Sequence, residues 1–194
     1  MKYVLFSLLL ISISYSQINF DDYFENKTLR LDYFHTGDSL NDFYSFDELI
    51  EEPYWGGSKV NLVDGFNYGK YRFEVVDKET NNLIYSRGYS TLFSEWQTVE
   101  EAKHTEKSFN ETVVFPFPKK PVIVKFYEHN RKNDLMLKFE YSVDPENYFI
   151  KKERTAEYKN FEVWYSGDPS VEVDIVIIPE GYTKEQMETF KEDC

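Results

Sequence analysis

The chain has 194 residues, 41% hydrophobic and 19% aromatic, enough for one packed core and too few for two large domains. A formal net charge of −13 argues against nucleic-acid binding, which needs a basic surface, and an anionic membrane would repel such a chain. The one cysteine, Cys194, rules out an intrachain disulfide and any zinc site built from several thiolates.

The first element is an export signal. Lys2 precedes an apolar run from Val4 to Ile13, and Ser14 and Ser16 supply small residues before a cut site. The run is about ten residues long, whereas a membrane span needs roughly 20. Cleavage after Ser16 leaves Gln17 first, assigns residues 1–16 to a signal peptide, and directs the protein to the periplasm, cell surface or medium. No cysteine stands at the cut to take a lipid anchor.

From Lys27 onward the pattern has period two, and seventeen Phe with sixteen Tyr suit half-buried pleated sheet. Leu29, Leu31 and Tyr33 alternate with Arg30, Asp32 and Phe34, which predicts a strand with one face buried. Phe43 to Ile50 is a second extended segment, ambiguous with a short helix, and Pro53 to Ser58 is loop. Tyr71, Phe73 and Val75 mark a strand, Asp77 to Asn82 a hairpin turn, and Leu83 to Tyr89 the return. Ser94 to Lys103 is read as a polar loop around Trp96, and Asn110 to Phe117 as extended. The clearest hairpin places Val122, Val124 and Phe126 before the turn His129–Asn133, and Leu135, Leu137, Phe139, Tyr141 and Val143 on one face after it. Short strands with regular turns predict an all-β fold, an antiparallel β-sandwich spanning residues 17–165. Asp144 to Tyr158 reads as linker or edge.

The style changes near Val171. Val173 to Ile178 is almost continuously apolar, as in strands of parallel sheets buried on both faces. Thr183 and Gln186 form a capping box, and Met187, Phe190 and Cys194 share one helical face. Strand, turn and helix together predict that residues 166–194 are a linker and the truncated start of an α/β domain.

No complete constellation for chemistry is present. The histidines, His35, His104 and His129, lie far apart, so no H-E-x-x-H exists, and no nucleophile elbow, P-loop or dinucleotide fingerprint occurs. His35 is a possible ligand, but a strand-end histidine hydrogen-bonded in a turn is the favoured reading. Asp38 to Asp42 resembles a calcium loop, yet Phe43 stands where the sixth-position glycine belongs and Leu49 where the twelfth-position glutamate belongs. Adjacent acids such as Asp21-Asp22, Glu51-Glu52 and Glu100-Glu101 point to opposite faces of a strand and read as solvated. Tyr54, Trp55 and Trp96 are candidate surface-binding aromatics that could stack on a sugar, although core or loop-pinning use is commoner for Trp. Asn26-Lys27-Thr28 and Asn110-Glu111-Thr112 are sequons.

A set of segments carries a family resemblance: Tyr33 to Gly37, Trp55 to Ser58 with Asn61-Leu62, Gly69 to Val75, Tyr85 to Ser90, Glu95 to Thr98 and Phe115 to Pro118. In this order and spacing they resemble the N-terminal domain of the IgA peptidase family, metallopeptidase family 64. Val173 to Thr183 resembles the opening strand and turn of that family's catalytic domain. The resemblance implies an exported bacterial protein with a β-sandwich before a zinc peptidase domain. The family's zinc helix lies beyond Cys194, so no catalytic, cofactor-binding or metal residue is assigned here. Zinc belongs to the downstream domain, and this fragment is expected to be inactive alone. The implied partners are its own catalytic domain and a protein or glycoprotein substrate, with the sandwich positioning substrate or bracing the catalytic domain. The alternative is a free-standing secreted module that binds glycan or protein.

Overall fold

The computed structural model describes residues 18–154, 160–168, 170–173 and 175–194. The expected export signal at residues 1–16 lies outside the described residues, as do Asp174 and the end of the Asp144–Tyr158 segment. A single helical turn, α1 (Phe20–Tyr23), leads into β1 (Phe24–Gly37) and β2 (Asp42–Glu52). Then follow β3 (Tyr71–Asp77), β4 (Leu83–Tyr89), α2 (Leu92–Trp96) and a 3₁₀ turn (Glu100–Lys103). The chain continues through β5 (Lys107–Pro118), β6 (Val122–His129), β7 (Leu135–Val143) and β8 (Lys151–Lys152) to α3 (Met187–Asp193).

Among the described residues, eight strands form two four-stranded sheets, ordered β5-β1-β2-β8 and β4-β3-β6-β7. The all-β sandwich expected from the alternation is therefore present. Every strand pair is antiparallel except β2 with β8, a two-residue parallel contact. β1 is central in its sheet because alternate residues are fully apolar on one side: Leu29, Leu31 and Tyr33 are completely buried. They meet Phe73 and Val75 of β3, Phe115 of β5 and Val124 and Phe126 of β6 in one continuous core. The outer face of β1 is polar but satisfied. Arg30 forks onto Asp32 at 3.1 Å and reaches Glu52 at 3.2 Å, while the Thr112 hydroxyl donates to Asp32 at 2.7 Å.

Three expectations need correction. Ser94 to Lys103 is not simple loop: Thr91 accepts the Ser94 amide at 3.2 Å and starts α2, which buries Phe93 and Trp96. Leu135 and Leu137 do not share the inward face with Phe139, Tyr141 and Val143. Phe126 pairs with Phe139 but Tyr127 pairs with Leu137, so Lys138 is an extra residue. A one-residue bulge inverts every side chain beyond it, and Leu137 is accordingly 52% exposed. Finally, the described residues of the Val173–Ile178 run form no strand, and Ile175, Val176 and Ile178 are more than four-fifths exposed. A strand buried on both faces requires a neighbour on each side, and none stands beside it among the described residues. The helix after it does form: the Thr183 amide donates to Gln186 at 2.9 Å, and Phe190 is buried against Tyr182 and Phe161.

Candidate functional site

The loop between β2 and β3 is held down along much of its length. Leu62 is buried, and the Ser86 amide donates to the Leu62 carbonyl at 3.1 Å, laying the loop along the open edge of β4. The Arg87 guanidinium donates to the carbonyls of Asn61 and Leu62 at 2.7 and 2.9 Å. One carboxylate oxygen of Asp64 accepts the Phe66 amide and the other accepts the Gly88 amide, each at 2.9 Å. These backbone bonds hold the Asp64 carboxyl below its ordinary range, although burial opposes them as the largest influence. Arg72, 8% exposed, donates to Glu74, to Ser86 and to the loop at Asp64 and Asn67.

Two glycines permit this closeness. A Cβ on Gly88 would lie 2.0 Å from the Tyr68 carbonyl oxygen. Gly69, at φ +99°, passes so close to β4 that a Cβ would lie 2.4 Å from the Tyr89 oxygen. What the tied loop presents is aromatic. Phe66 and Tyr68 stack on one another at 5.7 Å and 12°, and they are 79% and 77% exposed. Sequence reasoning passed over both. The available signal was the Asp-Gly-Phe-Asn-Tyr-Gly string, aromatic residues set among turn formers.

The aromatic residues singled out from sequence are separated by the fold. Tyr54 is 73% exposed, and its carbonyl accepts the Thr28 hydroxyl. Trp55 packs against the core edge-on to Tyr85, and its indole N–H donates to the Ser58 carbonyl at 3.3 Å. Trp96 is 9% exposed and sits among Phe93, Phe109 and Ala102, with its indole N–H on Glu101 at 3.0 Å. Of the three, Tyr54 alone shows a ring largely open to solvent. The Asp38 carboxylate closes its own turn, accepting the amides of Leu40 and Asn41 at 2.7 Å each.

His35 occupies a different environment from the one its turn position implied. Its ring is fully buried, stacked between Tyr44 at 4.2 Å and Phe93 at 3.8 Å. Its Nε2 meets Asp42 at 2.9 Å and its Nδ1 meets Glu111 at 3.1 Å. Burial alone lowers the imidazole pKa, but the bonds to Asp42 and Glu111 outweigh it and leave the pKa raised. Both carboxyls are correspondingly lowered, against burial, chiefly by bonding to His35. Neutral imidazole carries one N–H and cannot satisfy two carboxylates, so the geometry is that of an imidazolium.

The family model described as peptidase M64 N-terminus matches residues 19–140, well over half of the chain, from α1 into β7. The chain belongs to the peptidase M64 N-terminus family. No curated protein matches the chain. The segments on which the resemblance rested now have physical roles in this M64 N-terminal domain. Asn61-Leu62, Arg72, and Ser86-Arg87-Gly88 are the ties of the aromatic loop, while Tyr33-Phe34-His35 supplies the buried ring and the Tyr33 hydroxyl that donates to Glu111 at 2.9 Å. The sandwich is thus a peptidase-associated, non-catalytic domain.

Proposed function

We propose that this chain is the exported front portion of a zinc metallopeptidase akin to the IgA peptidases, and that its sandwich positions a protein or glycoprotein substrate or braces the catalytic domain. The observation that carries this reading is the Phe66–Tyr68 pair, held in solvent by a loop tied to Arg72, Ser86, Arg87 and Gly88. Exposed aromatic rings on a pre-ordered loop provide large contact area at small entropic cost. The exposed apolar residues from Val173 to Ile178 lend further support, since such a stretch needs a cover. In this reading zinc is held by the following domain, and residues 1–16 are removed on export.

The test uses the product of the whole open reading frame. Chelator-sensitive peptidase activity is expected there, and none from residues 17–194 alone. Replacing both Phe66 and Tyr68 by Ser should raise KM for a protein substrate, or lower the melting temperature of the whole enzyme. A reading frame with no H-E-x-x-H beyond Cys194 would overturn the proposal. A solitary binding module is the second reading, and the exposure of Tyr54 favours it. It predicts glycan or protein affinity that Tyr54→Ala abolishes.

A further inference from the structure

The His35 imidazolium is the middle of a longer array. Glu111 of β5, His35 of β1, Asp42 of β2, Lys138 of β7, Glu128 of β6 and Lys70, just before β3, alternate in sign and bond in sequence. Lys138 reaches Asp42 because the bulge in β7 frees it from the ordinary in–out alternation, and it lies 3.1 Å from Glu128. Lys70 meets Glu128 at 3.2 Å and Gln97 at 3.0 Å. Gln97 in turn donates to the Asp38 carbonyl at 2.9 Å. The array therefore laces both sheets and the α2 segment at one end of the sandwich.

The two carboxylates flanking His35 are not equivalent. Asp42 has a second cation, Lys138. The other donors to Glu111 are neutral: the Tyr33 hydroxyl, the Thr91 side chain and the Phe93 amide. The other ionisable groups packed on the ring are Tyr44, stacked on it, and Tyr71, edge-on to it, while Tyr33 shares Glu111 with it and bonds to Tyr89; burial pushes all four tyrosines well above their ordinary range. They stay neutral while an imidazole titrates. If His35 loses its proton, Glu111 becomes a buried carboxylate with no cation, whichever ring nitrogen keeps its hydrogen. The cheapest relief is hydration of Glu111. Water would enter under α2, because Thr91 and Phe93 at its start are anchored on that carboxylate.

We infer that His35 is an alkaline-sensitive latch: when protonated it closes the cap formed by residues 92–104 over the end of the sandwich, and its deprotonation opens that cap while both sheets stay paired. Opening would uncover the small aromatic cluster of Phe93, Trp96 and Phe109. The raised pKa of His35 sets the window: the cap is closed below the ordinary imidazole range and opens as pH climbs from there through the folded-state value. The inference stands independently of the peptidase reading.

Amide hydrogen exchange of the whole chain between pH 6 and 9.5, corrected for the intrinsic pH dependence of exchange, tests it, with the His35 ring titrated by NMR in the same samples. Protection within residues 92–104 should fall by up to about tenfold for each pH unit between the ordinary imidazole value and the His35 midpoint, and level off above it. Amides of β3 and β6 should hold. Glu111→Gln removes the stranded charge, so cap protection in that variant should no longer follow pH. Flat cap protection through the His35 midpoint would overturn the latch, and so would a loss shared equally by β3 and β6. Should Glu111→Gln fail to fold, the unmodified chain decides by itself.

Discussion

At the scale of single residues, the stabilising roles fall to buried polar side chains as much as to apolar ones. His35→Phe keeps an aromatic ring in the stack but leaves Asp42 and Glu111 facing it without the imidazolium. Breaking such a buried pair costs about 3–5 kcal/mol, and denaturant melts below the ordinary imidazole range, where His35 is charged, should show it. The pH dependence of the native chain follows from the same three groups. His35 has a raised pKa, so its contribution is complete below the unfolded value of about 6.5 and is lost as pH rises through the folded one. Asp42 and Glu111 have lowered pKa values, so theirs is present above the unfolded value of about 4 and is lost on acidification. Stability should peak between these limits, and His35→Gln should remove the alkaline fall and shrink the acid one, because the same imidazolium holds both carboxyls down. Gly88→Ala should also destabilise strongly, because its new methyl would collide with the Tyr68 carbonyl. Chemical denaturation should show a loss above about 2 kcal/mol, the range expected of core and backbone clashes.

At the scale of elements, period-two patterning located nearly every strand, because each sheet has one face buried and one face wet. Tyr71, Phe73 and Val75 face inward as their spacing requires, as do Val122, Val124 and Phe126. The inversion in β7 was not legible. Leu135 and Leu137 have the same composition and spacing as an inward face, and only pairing with β6 reveals the extra residue at Lys138. Alanine substitution distinguishes the two halves of that hairpin. Phe126→Ala should cost about 3–5 kcal/mol, as for other buried aromatics. Leu137→Ala should stay within about 0.5 kcal/mol, as for other surface positions. Thermal melts of the two variants side by side check the bulge directly. The candidate site was legible only in part. The Gly69 to Val75 and Tyr85 to Ser90 segments stood out in sequence, yet their bonds to Asp64 and Leu62 depend on tertiary contact that spacing does not encode. His35 likewise looked like a turn residue because its partners, Asp42 and Glu111, come from the two flanking strands.

At the scale of the whole molecule, the sandwich encloses its core, whereas the segment after Gly167 displays apolar residues. Ile175, Val176 and Ile178 are 81–83% exposed. Exposed runs of this kind promote self-association. The double change Ile175→Asp, Ile178→Asp should shift the chain toward monomer in sedimentation experiments and leave the melting temperature of the sandwich unchanged. An unaltered sedimentation profile would mean that some other surface governs association. The segment does touch the sandwich: the Lys59 amide donates to the Ser170 carbonyl at 3.2 Å, which directs it past the same loop that carries Phe66 and Tyr68.

The strand order has a consequence in time as well as in space. β1 is hydrogen-bonded on one side to β2, which follows it at once, but on the other to β5, where Leu31 pairs with Val113 and His35 with Phe109. During synthesis the β1–β2 hairpin emerges early with one edge bare, and that edge stays bare until β5 begins at Lys107, 55 residues beyond Glu52. Closing so long a loop is slow, and folding dominated by such pairings runs on the millisecond-to-second scale. The β3–β4 hairpin is local and can form while that edge waits. A nascent chain of this protein should therefore remain open until β5 arrives, with a waiting edge able to pair with another chain.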